Sequence, residues 1–264
     1  MSGPHPSPSV VHFWPEAEDL GVAVGVTTRH GGVSRPPYDS LNLALHVGDR
    51  PDDVVSNRTR AAAAFGVPLA SLVFAQQVHG NTATHVTVGD AGRGIAAFEN
   101  ALPATDAVVT TTPAVTLVIL VADCVPIALV DPAAHVLAAV HAGWRGTAAG
   151  VVTAALRTMA RYGAQPERVR AFLGPAVAPD RYEVGREVVD ALAHAVVPAP
   201  LDAAVVRPNV RVDLVAANRQ QLTAAGLRPE HVLDSGTTTA DPSFFSDRAA
   251  RPCGRFGLLA RWMS

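Results

Sequence analysis

The stretch VTLVILVADCVPIALVDPAAHVLAAVHAGWRG at residues 115–146 decides the fold class. It holds three apolar runs that are rich in small and β-branched residues and are bounded by Asp, Pro or Gly; they are Val115–Ala122, Ile127–Val130 and Val136–Val140. Runs of this length and composition predict short buried strands. A membrane-spanning helix would need about 20 consecutive apolar residues, and Asp123 and Pro126 interrupt the stretch. Buried strands are therefore the favoured interpretation.

The sequence on either side of this stretch alternates between further strands and helices. Strands are predicted at Leu20–Thr28, Leu72–Ala75, Thr84–Val88, Asp106–Thr110, Val169–Leu173 and Phe256–Trp262. Helices are predicted at Asp52–Phe65, Thr147–Tyr162, Gly185–Ala195 and Leu214–Ala225. This interleaving favours an α/β or α+β domain. We expect residues 1–9 to be a disordered tail and 10–264 to be one domain, with Pro198–Pro208 as a surface loop.

Composition excludes several classes of partner. The formal net charge is −2, and all 21 basic residues are arginine. This balance predicts no general attraction to nucleic acid or to an anionic membrane. The two cysteines, Cys124 and Cys253, do not make a disulfide framework, so we expect a reduced, cytoplasmic protein. The N-terminal sequence MSGPHPSPSV has neither the basic start nor the apolar centre of a signal peptide.

Three apolar strands lead to a polar residue that is capable of chemistry. FAQQVHG reaches His79, VILVADC ends at Cys124, and LAAVHAG reaches His141, where the following glycine is expected to permit a tight turn. Strand ends followed by turns are common positions for functional sites. Two imidazoles and one thiolate suit zinc and leave a fourth coordination position open. The wide spacing of these residues favours a catalytic site over a finger-type structural site.

Other interpretations of the same residues remain open at this stage. Cys124 and His141 could be a nucleophile and its base, with Asp123 or Asn42 orienting the base, in a cysteine hydrolase that cleaves amides or esters. The chain could instead be a metal-binding partner protein without activity, or the residues could simply pack. Copper is also conceivable, but the ten histidines never occur two apart, which disfavours a multinuclear copper cluster.

Longer motifs resemble the YfiH/laccase-domain family. They are QQVHG, VADCVPIALVDP, VHAGWRG, TTRHGGVSRPPYDSLNLALHVGD (27–49), TDAVVT (105–110), FLGPAVAPDRYEVG (172–185) and FFSDRAARPCGRF (244–256). They follow one another in order over almost the whole chain. The resemblance implies two packed mixed sheets with outer helices in α/β/β/α layers. It also implies that His79, Cys124 and His141 bind Zn²⁺.

The resemblance further implies a zinc-dependent purine nucleoside phosphorylase. Its small-molecule substrates would be phosphate and adenosine, inosine, guanosine or methylthioadenosine. Adenosine deaminase activity is implied as well, in which an activated water attacks the purine carbon that bears the amino group. Because bacterial relatives have also been called peptidoglycan editing factors, the alternative cysteine hydrolase would act on a cell-wall precursor or another amide or ester.

Several residues are candidates for the remaining roles. Asp123, next to a predicted ligand, is the candidate proton donor, although capping the strand end is favoured for it because aspartate commonly bonds nearby backbone. Arg145 is the candidate for stabilising an anion or a carbonyl, and Trp144 could stack on a base. The candidates for binding substrate or phosphate are Arg29, His30, Gly31, Ser34, Asn42 and Arg248.

The chain departs from the family pattern in one region. The segment SGTTTADPSFFS lacks the cysteine of the family's usual Cys-Thr pair, and Ala249 stands where the family has a second arginine after Arg248. A role for that cysteine or for a second arginine therefore does not transfer to this chain. The three predicted metal ligands are unaffected.

Overall fold

The computed structural model describes residues 9–195 and 211–263. The predicted surface loop at Pro198–Pro208 and nearly all of the predicted tail lie outside these ranges. Within them the strands are β1 (Val11–Phe13), β2 (Val22–Thr27), β3 (Leu72–Val73), β4 (Ala83–Val86), β5 (Ala107–Thr110), β6 (Thr116–Val121), β7 (Val125–Asp131), β8 (Val136–Ala142), β9 (Arg170–Leu173), β10 (Val232–Asp234) and β11 (Phe256–Trp262). The α-helices are α1 (Pro51–Phe65), α2 (Trp144–Ala148), α3 (Val151–Ala160), α4 (Arg186–Ala195) and α5 (Leu214–Ala224).

The strands form two mixed sheets. The five-stranded sheet has the order β1-β2-β11-β6-β3, and the six-stranded sheet has the order β10-β9-β7-β8-β5-β4. Most neighbours are antiparallel, whereas β3 and β6, β4 and β5, and β9 and β10 pair in parallel. The expected fold of two packed mixed sheets with outer helices is confirmed.

Alternation along the strands explains the layers. In β6, Leu117, Ile119 and Val121 face the core between the sheets, while Val118 and Leu120 pack on the cluster that contains the apolar face of α1. In β7 and β8, alternate residues face the same central core or the outer cluster formed with α3 and α5. A period of two places successive side chains on opposite faces. Both sheets are therefore covered on each face, in the order helix, sheet, sheet, helices.

The apolar stretch at residues 115–146 forms three strands, as its pattern predicts. The strand predicted at Ile127–Val130 is longer, because β7 begins at Val125 and includes Pro126. Pro126 still takes part in pairing, since its carbonyl accepts a hydrogen bond from the N–H of Gly174. None of the described helices has the length and apolar character that crossing a bilayer requires.

The prediction of one helix over Thr147–Tyr162 was wrong. Two helices, α2 and α3, occupy this region, and α2 begins earlier, at Trp144. Gly150 separates them with a φ of 77°, a left-handed conformation that ends one helix and that glycine adopts without steric cost. The short strands β1 and β10 were not predicted, because three residues carry little periodic signal.

Two connections cross from the five-stranded to the six-stranded sheet. The first joins β3 to β4, and the second joins β6 to β7. Because β3 and β6 are parallel neighbours, both connections leave the five-stranded sheet at the same end. His79 lies on the first connection and Cys124 on the second, so the crossings bring the two residues to one place.

Candidate metal centre

Strand register aligns the residues around the end of β8. Val125 of β7 pairs with Ala142, which places Cys124 beside Gly143. On the other side, Ala107 of β5 pairs with Val140, which places Asp106 beside His141. The backbone N–H of His141 donates to the carbonyl of Asp106 at 2.8 Å. The central strand of the site is thus fixed on both edges.

His79, Cys124 and His141 converge as predicted. One side-chain ligand atom from each lies within 4.8 Å of the others. His141 is buried, Cys124 is half-buried and His79 is exposed, so the group opens to solvent on one side. Two imidazole nitrogens and a sulfur can hold a metal ion with a further position left for another ligand. Across residues 9–195 and 211–263 this is the only such group found.

Gly143 leaves the space that the three ligands need. A Cβ at this position would lie 2.7 Å from Nδ1 of His79 and 2.8 Å from Sγ of Cys124. Its φ is −77°, which any residue adopts. The glycine is therefore needed for room beside the ligands and not for the tight turn expected from sequence.

Asp106 organises two of the three ligands. Its buried carboxylate accepts the Nδ1–H of His141 at 2.8 Å. It also accepts the backbone N–H groups of Val78, His79 and Gly80, at 3.3, 3.0 and 2.7 Å. Because Nδ1 of His141 is occupied, Nε2 is left to meet a metal. The cysteine-hydrolase interpretation gave the position that orients His141 to Asp123 or Asn42. This assignment was wrong, because Asp106 takes that position.

Electrostatics at the site favour a thiolate. Burial alone would raise the pKa of the Cys124 thiol, but the His141 and His79 rings lower it to about 6. Burial would lower the pKa of His141, whereas Cys124 and Asp106 raise it to about 9. At neutral pH the metal-free pair is therefore a thiolate beside an imidazolium. A thiolate is the form of cysteine that binds metal, and a metal ion would replace the imidazolium proton.

The three residues open into a cavity of about 790 Å³. A volume of this size is typical of sites for small molecules. Trp144 and Arg145 from α2 line it, as do the side chains near α4 and the loop before β11. The lining includes His46, Gln77, Leu120, Asp123, Tyr182, Glu183, Leu214, Asp247, Arg248, Arg251 and Arg255.

Residues 23–263 match the family model described as multi-copper polyphenol oxidoreductase laccase. The chain belongs to this laccase family. A purine nucleoside phosphorylase of Mycobacterium tuberculosis (strain ATCC 25618 / H37Rv) is 43% identical over 90% of each chain. Purine nucleoside phosphorylase YfiH of Escherichia coli (strain K12) is 38% identical, covering 93% of this chain and 95% of its own. The crystal structure of YlmD from Geobacillus stearothermophilus superposes with a TM-score of 0.91 at 36% identity, covering 97% of this chain and all of that one.

In this laccase-family chain, Asp123 accepts hydrogen bonds on both carboxylate oxygens. Oδ1 accepts from the hydroxyls of Thr239 at 2.5 Å and Ser246 at 2.7 Å, and Oδ2 accepts from the backbone N–H of Arg248 at 2.6 Å. Its φ of 88° is rare for a residue with a side chain. Asp123 therefore anchors the segment that carries Arg248. To act as the predicted proton donor, Asp123 would have to carry a proton on a carboxylate that already accepts three hydrogen bonds.

Residues of the predicted phosphate loop form hydrogen bonds with neighbouring residues of the protein. Arg29 donates to the carbonyl and carboxylate of Asp39, and the Ser34 hydroxyl donates to Asp49. The backbone N–H of His30 donates to Thr28, and the Gly31 carbonyl accepts from Arg60. In the part of the chain that the structure describes, these four residues do not line the metal cavity. The Arg29 side chain, the backbone N–H of His30 and the Ser34 hydroxyl are thus engaged in building the loop.

Asn42 serves the same loop. It is buried and donates to Asp49 while accepting the backbone N–H of Arg255. It lies outside the described lining of the cavity. By contrast, Arg145 and Arg248 line the cavity together, as their predicted roles require. The sequence did not single out Asp106 or Tyr182, although a buried aspartate before an apolar strand needs a partner and thereby signals one.

Proposed function

We propose that this protein is a zinc-dependent purine nucleoside phosphorylase that also deaminates adenosine, folded as one catalytic domain over residues 10–264. The substrates would be phosphate and adenosine, inosine, guanosine or methylthioadenosine. The observation that carries the proposal is the convergence of His79, Cys124 and His141 at the wall of a cavity large enough for a nucleoside. The names of the similar bacterial proteins support the phosphorylase part of the proposal.

The donor set suits zinc. Imidazole and thiolate are both ligand types of zinc, and three protein ligands leave one position open, as in catalytic zinc sites. Gly143 keeps the space beside His79 and Cys124 free, and Asp106 fixes the His141 ring. When bound there, zinc would supply Lewis-acid activation of the atom at its open position.

Phosphorolysis makes one bond and breaks one. A phosphate oxygen bonds to the anomeric carbon of ribose while the bond from that carbon to the purine nitrogen breaks. The nitrogen keeps the electron pair and takes a proton, and ribose 1-phosphate is the second product. The cavity would hold the purine against Trp144, and Arg145 would stabilise negative charge near the metal ligands.

Deamination of adenosine would use the same cavity. A water oxygen bonds to the purine carbon that carries the amino group, and ammonia leaves with the electron pair and a proton. We give Asp123 a positioning role in both reactions, because its carboxylate already accepts three hydrogen bonds, from Thr239, Ser246 and the backbone of Arg248. This role replaces the proton transfer expected from its place in the sequence.

One observation favours a second candidate function. Cys124, His141 and Asp106 form a thiolate, an imidazolium and an orienting carboxylate in series. This is the arrangement of a cysteine nucleophile with its base. A cysteine hydrolase that acts on an amide or ester, such as a cell-wall precursor, would use it without metal.

The test is to incubate zinc-loaded protein with adenosine and inosine, with and without phosphate, and to identify the products. We expect hypoxanthine and ribose 1-phosphate from inosine only when phosphate is present, and ammonia from adenosine in both conditions. The Cys124→Ser variant should lose metal and activity together, because a hydroxyl is a far poorer zinc ligand than a thiolate. Hypoxanthine formed from inosine without phosphate would refute phosphorolysis. Activity in metal-free protein that thiol alkylation abolishes would favour the hydrolase.

A further inference from the structure

Two arginines that line the cavity have guanidinium groups that pair with no carboxylate in the described ranges. Arg145 stacks on Trp144, with its guanidinium carbon 4.2 Å from the ring centre, and makes no ion pair with any residue in the described ranges. Arg248 donates to the carbonyl of Glu183 and likewise has no carboxylate partner there. Arg255, elsewhere on the wall, is different because it contacts Asp247 at 3.2 Å. In the described ranges, no ion pair with a carboxylate therefore engages the guanidinium group of Arg145 or Arg248, although acidic side chains such as Asp123 and Glu187 line the same cavity.

Tyr182 lies at the same corner. The guanidinium carbon of Arg248 lies 5.4 Å from the centre of the Tyr182 ring. The phenol makes no hydrogen bond to another described residue, although its ring is half-buried. Burial, followed by the Cys124 thiolate, raises the pKa of Tyr182 to about 12, which the two arginines only partly oppose. The hydroxyl is thus a hydrogen-bond donor at neutral pH.

The backbone holds this corner close to the metal ligands. Arg145 lies four residues after His141, at the start of α2. The N–H of Arg248 is bound by Asp123, the residue directly before Cys124. A molecule that contacts both guanidinium groups would therefore lie next to the open side of the His79, Cys124 and His141 group.

We propose that Arg145, Tyr182 and Arg248 form a subsite for a tetrahedral oxyanion. Two guanidinium groups can each donate several hydrogen bonds to phosphate oxygens, and the phenol can add one more. The inference rests on the proposed function, in which the anion is the attacking orthophosphate. The same chemistry would also hold the phosphate ester of a nucleotide. The subsite lies at a different place from the loop that contains Arg29.

The test measures binding of orthophosphate to zinc-loaded protein by calorimetry, without nucleoside. Arg145→Gln and Arg248→Gln should each weaken this binding by about tenfold or more, because each removes charge-assisted hydrogen bonds. Tyr182→Phe should weaken it by a smaller factor. Arg181→Gln is the matched control, since Arg181 is exposed beside Tyr182 but does not line the cavity, and it should bind phosphate as the wild type does. Zinc content and melting temperature report whether each variant is folded.

Two arms distinguish the source of the anion. Inosine 5′-monophosphate, tested on the same variants, should bind more weakly than orthophosphate if free phosphate is the ligand. Tighter binding of the nucleotide with the same dependence on Arg145 and Arg248 would keep the subsite and assign it to an ester. Binding of both anions that is unchanged in Arg145→Gln and Arg248→Gln would overturn the subsite. Loss of binding in Arg29→Gln alone would move it to the predicted loop.

The outcome also separates this inference from the proposed function. Anion binding that depends on the two arginines, in a protein that cleaves no nucleoside, would keep the subsite and reject the phosphorylase. Phosphorolysis with an unchanged KM for phosphate in both glutamine variants would keep the phosphorylase and reject the subsite. An unchanged KM for inosine beside a raised KM for phosphate is the result that we expect.

Discussion

Oδ1 of Asp106 lies 2.8 Å from Nδ1 of His141, and the same carboxylate holds the backbone on which His79 lies. The pKa of Asp106 is held below its ordinary value although burial opposes this, because His141 and the backbone N–H groups of Gly80 and Val78 favour the carboxylate. One side chain therefore orients two metal ligands that are 62 residues apart in sequence.

Replacement of this carboxylate should weaken metal binding. We expect Asp106→Asn to lower zinc affinity by about 10- to 100-fold, the usual effect of removing a partner that orients a ligand. Competition with a chelator measures it. Asp131→Asn is the control, because Asp131 is also buried but contacts Arg168 away from the site. Equal zinc affinity in Asp106→Asn and wild type would contradict the role.

A methyl group at residue 143 should block the metal site. The Cβ of Gly143→Ala would lie well inside contact distance of both His79 and Cys124, so we expect the purified variant to contain little zinc. Gly80→Ala provides the comparison, since its Cβ would lie 3.4 Å from the nearest atom, in Asp106. Elemental analysis of both proteins checks the prediction. Full zinc content in Gly143→Ala would show that the ligands can move apart.

Zinc affinity should fall as pH falls. Between about pH 6 and about pH 9 the metal-free site is a Cys124 thiolate beside a protonated His141, so zinc must displace the proton of His141. Below about pH 6 Cys124 is protonated as well, so a second proton must leave. The logarithm of the affinity should therefore fall with pH, and more steeply below about pH 6. Affinity that is independent of pH would contradict these protonation states.

Acid should remove the contribution of Asp131 to stability. Burial opposes its charge, but Arg168 and backbone N–H groups at residues 134 and 165 hold the pKa of Asp131 below its ordinary value. A lowered pKa means that the stabilisation is complete above about pH 4 and is lost as pH falls through the folded-state value. We expect Asp131→Asn to cost about 2 kcal/mol at neutral pH, with a smaller difference in strong acid. Thermal unfolding of the wild type and of Asp131→Asn, from neutral pH down into strong acid, measures the difference in stability and its loss.

Asp123→Asn should separate positioning from proton transfer. The amide keeps one acceptor oxygen and tolerates the left-handed backbone, but it accepts fewer of the hydrogen bonds from Thr239, Ser246 and Arg248. We expect normal zinc content, a raised KM for phosphate and an unchanged shape of the pH–rate profile. The loss of one limb of that profile would instead show that Asp123 transfers a proton.

The pattern of apolar runs that lead to a polar residue made His79, Cys124 and His141 candidates, and the family resemblance selected them as metal ligands. The fold brings these three residues together. Asp106 was missed because its partners, the 78–80 backbone and His141, lie 26 to 35 residues away. Pairing across β5 and β8 is not visible in a single sequence.

Loop composition predicted an anion site where the structure does not support one. The glycine-rich segment at residues 29–34 has the residue types of an anion site, and sequence does not show which donors the fold consumes. Thr28, Asp39 and Asp49 accept the donors of His30, Arg29 and Ser34. The single predicted helix failed for a related reason, because Gly150 is tolerable within a helical pattern and its left-handed conformation appears only in three dimensions.

Two of the three ligands lie on the connections that carry the chain from one sheet to the other. An ion bound to them would hold those connections together in the native protein. Because the unfolded chain does not bring the ligands together, the ion would bind the native state more tightly and would stabilise the fold by mass action. A shortage of the ion would then make the protein more susceptible to proteolysis as well as inactive. Nutrient supply would in this way govern the abundance of the protein as well as its chemistry.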